Sequence, residues 1–226
     1  MQRRQFTNST VAAAGLLLAR NGLAADVSDA DAASGIHAAL ERGAVAAVGL
    51  LGRQDGFLGN PKVKIELPGY LKDAAKLARL TGQQKRVDEL VTAMNRAAEA
   101  AVPEAKAMLV AAVKSMSVGD ARRIVSGGEN SVTKFFAGKT RTPLGEKFLP
   151  IVTRETAKVD LAARFNAVAG KAAGMGLVKG DDANIERYVT GKALDGLYFM
   201  IGEEEKKIRR DPIGTGSALL AKVFGK

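Results

Sequence analysis

Gln83-Gln84-Lys85-Arg86-Val87-Asp88-Glu89-Leu90-Val91-Thr92-Ala93-Met94-Asn95-Arg96-Ala97-Ala98-Glu99-Ala100-Ala101 is the stretch that decides the fold. Val87, Leu90, Val91, Met94, Ala97, Ala98 and Ala101 recur every three or four residues. That spacing places them on one stripe of an α-helix and on no single face of a strand. Val102-Pro103 follows directly, where a missing N–H and a ring clash break or kink a helix, and Ala105 to Met116 resumes the pattern.

The same period continues in both directions. Downstream, Ser117 and Asp120 open a short helix that stops at Gly127-Gly128. Asn130 to Gly138 forms another, carrying Phe135 and Phe136. Thr142-Pro143 starts the next, which Pro150 should kink. Asp160 caps a helix bearing Leu161, Phe165, Val168 and Ala172. Asp181 or Asp182 caps the last long helix, whose stripe is Ile185, Tyr188, Val189, Ala193, Leu197, Met200 and Ile201, and which halts at Asp211-Pro212. A short amphipathic tail follows, with Leu219, Leu220, Val223 and Phe224. Upstream, Ser28 and Asp31 resemble a capping box ahead of Ile36, Leu40, Ala44, Ala47, Val48 and Leu51, and Gly52 ends that helix. Pro68 suits the first turn of a short helix through Leu80.

One segment breaks the period. Asp55-Gly56-Phe57-Leu58-Gly59-Asn60-Pro61 is a turn-rich loop in which Asp55 is expected to cap its own turn. Lys62-Val63-Lys64-Ile65-Glu66-Leu67 then alternates charged with apolar, so Val63, Ile65 and Leu67 should point inward from an extended chain. No second strand is evident to pair with it, which makes it an extended arm packed on helices, at most half of a small ribbon. The expected fold is all-α: a single compact multi-helix, bundle-like domain over residues 26–226 with one extended arm.

Residues 1–25 read differently. Arg3-Arg4-Gln5-Phe6, an apolar run from Val11 to Ala19 and a small-residue end at Gly22-Leu23-Ala24-Ala25 are the parts of a cleavable signal. The paired arginines followed by Phe6 point to the twin-arginine route, with Arg3, Arg4, Phe6 and Ala24 as its signal residues, and Arg20 after a modest apolar run suits that route as well. Removing residues 1–24 takes away Arg3, Arg4 and Arg20 and no acid, so the formal charge falls from +10 to +7. The expected location is the periplasm. The chain has no cysteine, which excludes disulfides, thiolate metal sites and cysteine nucleophiles, and agrees with folding in a reducing cytoplasm before transport.

The basic charge does not imply nucleic acid. Lysines and arginines are interleaved with acids, tryptophan is absent, and no aromatic-rich basic stripe offers a stacking platform. His37 is the one histidine, so no histidine-based metal site can form and a serine triad lacks its partners. No cofactor and no metal are expected. Weak peripheral contact with anionic lipid through the tail is an alternative surface property.

Two constellations carry polar side chains where chemistry could occur. Asn95 and Arg96, with Glu99 and Glu104, flank the alanine-rich stripe beside Pro103; they read either as a buried polar network bridging helices at the kink or as a ligand-binding lining. Lys139-Thr140-Arg141-Thr142-Pro143 precedes an expected helix start, which reads as a plain cap or as an anion site built on free N–H groups, Lys139 and Arg141. Glu203-Glu204-Glu205-Lys206-Lys207-Ile208-Arg209-Arg210 places Glu203 against Lys207 and Glu205 against Arg209 at four-residue spacing. That is a self-paired solvated face; the alternatives are a docking surface or one carboxylate turned inward.

Asp55 to Pro61, Met94-Asn95-Arg96-Ala97-Ala98-Glu99-Ala100-Ala101 and Lys192-Ala193-Leu194-Asp195-Gly196-Leu197-Tyr198-Phe199 through Arg209 together resemble a bacterial exported family catalogued as domain of unknown function 4197. The likeness runs from about Ser34 to Phe224. It implies a compact all-helical secreted or periplasmic domain and carries over no catalytic residue. Lys192, Asp195 and Tyr198 join Asn95, Arg96, Glu99, Lys139 and Arg141 as candidate ligand-binding residues.

The leading functional expectation is a non-catalytic binding or interaction protein of the cell envelope, with an amphiphile, an anionic polymer or another envelope protein as its ligand. The rival is a carboxylate-dependent hydrolase of an envelope glycan or phosphate ester, in which Asp195, Glu99, Glu203 and Glu204 would divide acid and base roles.

Overall fold

The computed structural model describes residues 29–174 and 184–211. The expected leader at 1–25, the expected Ser28 cap, Asp181, Asp182 and the tail at 219–224 lie outside the described residues. Eight α-helices and one 3₁₀ turn make up the described chain, with no strand among the described residues. In order they are α1 (Asp29–Leu51), α2 (Gly69–Leu80), α3 (Gln84–Ala101), the 3₁₀ turn Val102–Glu104, α4 (Ala105–Lys114), α5 (Val118–Ser126), α6 (Ser131–Thr156), α7 (Asp160–Gly174) and α8 (Ile185–Arg210). None of the described helices is long and apolar enough to cross a membrane.

The two longest helices, α6 and α8, form the most extensive contact, and α3 lies against both. α1 covers α8 and α4, α5 packs on α1 and α6, and α2 and α7 lean on α3. Val87, Leu90, Met94, Ala97, Ala98 and Ala101 of α3 are all buried, as the stripe requires. Ser117 and Asp120 open α5 as expected, and they do so as a reciprocal capping box. α1 ends at Leu51, and position 52 has to be glycine because the ring of Pro103 occupies the space where a Cβ would come within 2.9 Å of it.

Three local expectations are corrected. Residues 130–156 were expected as two helices, the second starting at Thr142-Pro143 and kinked at Pro150; they form one continuous helix with both prolines inside. Val132, Phe136, Thr140, Leu144, Phe148, Val152 and Thr156 are buried at every fourth position, straight through the prolines. The packing of that stripe outweighs the local cost of proline, about 3 kcal/mol per interior site. Thr140 and Thr156 enter the stripe because each hydroxyl donates back to a carbonyl four residues earlier, Phe136 at 2.7 Å and Val152 at 2.9 Å. The cap of α8 is Asn184, whose side chain accepts from Arg187 N–H at 2.9 Å, in place of Asp181 or Asp182. Glu203 pairs with Lys206 and Lys62, not with Lys207. Lys207 pairs with Glu204 instead; Glu205 takes Arg209 as expected but is buried, so the run is not a fully solvated face and one carboxylate is turned inward.

The arm, residues 52–68, keeps its alternation. Val63, Ile65 and Leu67 are buried, while Lys62, Lys64 and Glu66 are exposed. Phe57, fully buried at the start of the arm, rests on α8 at Gly196, where a Cβ would lie 2.6 Å from its ring.

Candidate functional site

The candidate residues separate into two groups and one outlier. Asn95, Arg96 and Glu99 lie on one face of α3 beneath the arm. Asn95 is completely buried; its side chain accepts from Ile65 N–H at 2.8 Å and donates to Ile65 C=O at 2.9 Å. Glu99, only 5% exposed, accepts from Phe57 N–H at 3.0 Å and Leu58 N–H at 3.1 Å through one oxygen. Its other oxygen accepts from Arg96 at 2.5 Å. Arg96 donates in turn to Asp55 at 2.8 Å, so the Asp55 carboxylate holds a guanidinium and does not cap its own turn. The Glu99 and Asp55 hydrogen bonds raise the Arg96 pKa further, so it stays charged. These polar groups tie the arm to α3, where a network bridging helices at Pro103 had been one expectation.

Arg141, Lys192, Asp195 and Tyr198 converge where α6 crosses α8. Asp195 accepts from Arg141 at 2.6 Å and lies 3.5 Å from Lys192. The Arg141 guanidinium lies 5.8 Å from the centre of the Tyr198 ring. The Tyr198 hydroxyl shares a 2.9 Å hydrogen bond with Thr140, and burial raises its pKa. Lys139, the outlier, is exposed on α6 and lines none of the described clefts. No helix starts there, so residues 139–143 offer no run of free N–H groups for an anion.

Two shallow grooves flank Asp195 and Phe199. One, about 260 Å³, runs over α6 and α8 past Thr133, Arg141, Tyr198, Gly202, Glu203 and Lys206. The other, about 420 Å³, lies between α8 and the arm, bordered by Lys62, Lys64, Glu66, Tyr188 and Lys192. Lys62 bridges them: it pairs with Glu203 at 2.9 Å and sits 6.0 Å from the Phe199 ring centre. Hydrogen bonds from Lys62 and Lys206 hold the Glu203 carboxyl down to about 2. Phe199, 40% exposed, is absent from the helical stripe read from sequence. An aromatic off the buried stripe was the signal available for it.

A larger cleft lies elsewhere, about 1120 Å³ between the start of α3, the end of α6 and α7. Its lining includes Lys85, Arg86, Arg96, Lys158 and Arg164 against Asp88, Glu89 and Glu155. Of the acids, Asp88 lies 3.7 Å from Arg79, and Glu155 accepts from Lys158, which lowers its pKa. Lys85, Arg86 and Arg164 form no ion pair among the described residues. Arg96 is the only cleft residue that sequence reasoning singled out. The other cations come from three elements, and only the tertiary fold assembles them.

The four carboxylates of the hydrolase reading do not share one pocket. Asp195 and Glu203 line the same groove, Glu99 lies under the arm, and Glu204 faces α1 at Gly43. No group of three or more His, Cys, Asp or Glu placed to hold a metal occurs among the described residues.

No curated protein and no solved structure matches the chain. The family model described as Protein of unknown function (DUF4197) matches residues 26–225, and the chain belongs to that family.

Proposed function

We propose that this chain is an exported periplasmic protein that binds an anionic ligand, without turning it over, in the cleft between α3, α6 and α7. The observation that carries the reading is an imbalance of pairing. Lys85, Arg86 and Arg164 stand at the 1120 Å³ cleft without ionic partners among the described residues, against a single unpaired acid, Glu89, whereas Asp88 and Glu155 have theirs. A cleft of that size exceeds a single phosphate and suits a polyvalent anion or a segment of an anionic polymer. Export is read from Arg3-Arg4-Gln5-Phe6 and the small-residue end at Ala24-Ala25.

Binding is favoured over hydrolysis by the state of the carboxylates. Asp195 and Glu203 are both ion-paired, and a carboxyl held near 2 cannot donate a proton at neutral pH. They sit eight residues apart on α8, about 12 Å along the axis. That exceeds the roughly 5–9.5 Å between the carboxyls of glycosidases.

The test is calorimetric titration of the mature protein with inorganic tripolyphosphate at low and high ionic strength, beside a double variant Arg86→Glu, Arg164→Glu. Saturable binding is expected that weakens with salt and falls at least tenfold in the variant. Absence of binding to tripolyphosphate and to poly-glutamate, with a bare apo mass for protein taken from its own periplasm, overturns the reading.

A further inference from the structure

The two edges of the arm are not equivalent. On one, the Asn95 side chain gives and takes a hydrogen bond with Ile65 backbone, standing where a neighbouring strand would stand. In an extended chain the N–H and C=O of alternate residues point to opposite edges, so Lys64 and Glu66 address the other edge. That edge faces α8, since the Tyr188 hydroxyl donates to Glu66 C=O at 3.0 Å. Lys64 N–H is taken by Asn60 C=O at 2.8 Å. Lys64 C=O and Glu66 N–H have no hydrogen-bond partner among the described residues.

Those two free groups bracket Ile65. A single residue of a parallel strand uses both, giving its N–H to Lys64 C=O and accepting from Glu66 N–H. They open on the 420 Å³ groove beside Tyr188, Lys192 and Phe199. From Tyr188 to Phe199 the helix rises about 16 Å, the length of about five extended residues. Lys62, Lys64 and Lys192 outnumber Glu66 and Asp195 along this groove. The Lys64–Glu66 and Lys192–Asp195 pairs are long, 3.9 and 3.5 Å, which leaves both lysines able to take an incoming carboxylate.

We propose that this groove docks an extended, acidic peptide segment of a partner protein, added as a parallel strand to the open edge of the arm and flanked by Lys64 and Lys192. A second copy of this chain does not fit that pattern. Two arms related by a two-fold axis run antiparallel and would compete with Tyr188 for Glu66 C=O.

The experiment uses an array of N-acetyl hexapeptides with glutamate fixed at the third position and the others varied among Val, Ile, Thr, Phe and Lys. The strongest binder is then measured by fluorescence anisotropy against the mature protein. Glu66→Pro removes the free N–H while keeping an extended backbone, and Glu66→Ala keeps the N–H. Binding at least tenfold weaker in Glu66→Pro than in Glu66→Ala is expected, with matching circular dichroism and melting for the two. On the wild-type protein, N-methylation of the peptide should weaken binding at least tenfold at alternate residues and little between them, which decides the matter if Glu66→Pro fails to fold. An array without a binder, equal binding by both variants, a flat N-methyl scan, or dimerisation lost in Glu66→Pro overturns the proposal. None of these results bears on the anion cleft.

Discussion

Asn95 and Glu99 sit one helical turn apart on α3, and the shape of the arm depends on them. A fully buried amide and a nearly buried carboxylate are tolerable because backbone N–H groups and Arg96 satisfy them. Glu99→Ala should leave the Phe57 and Leu58 amides without an acceptor and remove one of the two partners of Arg96. We expect a loss of about 3 kcal/mol in urea unfolding. In hydrogen exchange the amides of Phe57 and Leu58 should be deprotected before those of α6. Glu203 is the contrasting case, a half-buried carboxylate depressed to about 2 by Lys62 and Lys206. A group whose folded pKa lies below its unfolded value adds stability above the unfolded pKa, near 4.5, and loses it as pH falls toward 2. Carbon-detected NMR titration should therefore find Glu203 ionised at pH 3, and Lys62→Ala should move its midpoint upward.

At the scale of elements, the sequence made most helices legible because their apolar stripes are dense and their ends carry turn chemistry. The stripe of α3, the capping box of α5 and the alternation of the arm all came from neighbours in sequence. α6 was misread because proline is a local signal, whereas the stripe from Val132 to Thr156 that overrides it is a tertiary one. If packing alone holds that helix together, Pro150→Ala at its exposed position should restore an intrahelical hydrogen bond. A gain of about 1–3 kcal/mol in urea unfolding is expected, with unchanged m-value. Gly196 shows the opposite limit. Its α8 backbone meets the buried Phe57 ring so closely that an added methyl has nowhere to go. Gly196→Ala should cost about 1–3 kcal/mol and loosen the arm, visible as faster exchange at 57–65. The candidate site was only half legible for the same reason. Arg141 and Asp195 could be nominated singly, but their pairing, and the grouping of Lys85 with Lys158 and Arg164, requires the fold.

Considered as a whole molecule, the proposed twin-arginine leader at residues 1–25 precedes a domain whose arm at 52–68 is pinned by buried polar contacts rather than by a sheet among the described residues. If the proposed route, which carries folded passengers, is the one used, stability of the arm becomes a condition of export, and arm stability can be changed without touching residues 1–25. Glu99→Ala should therefore lower the periplasmic yield of the full-length protein and leave precursor in the cytoplasm. The same substitution behind a general-secretion leader, which passes unfolded chains, should leave export unchanged. Fractionation with immunoblotting of precursor and mature forms reads both arms, and Arg3→Lys, Arg4→Lys sets the baseline for a blocked leader. Equal export of Glu99→Ala and wild type behind the native leader would separate the arm from transport. An undiminished mature band in the paired-lysine variant would remove the twin-arginine reading itself.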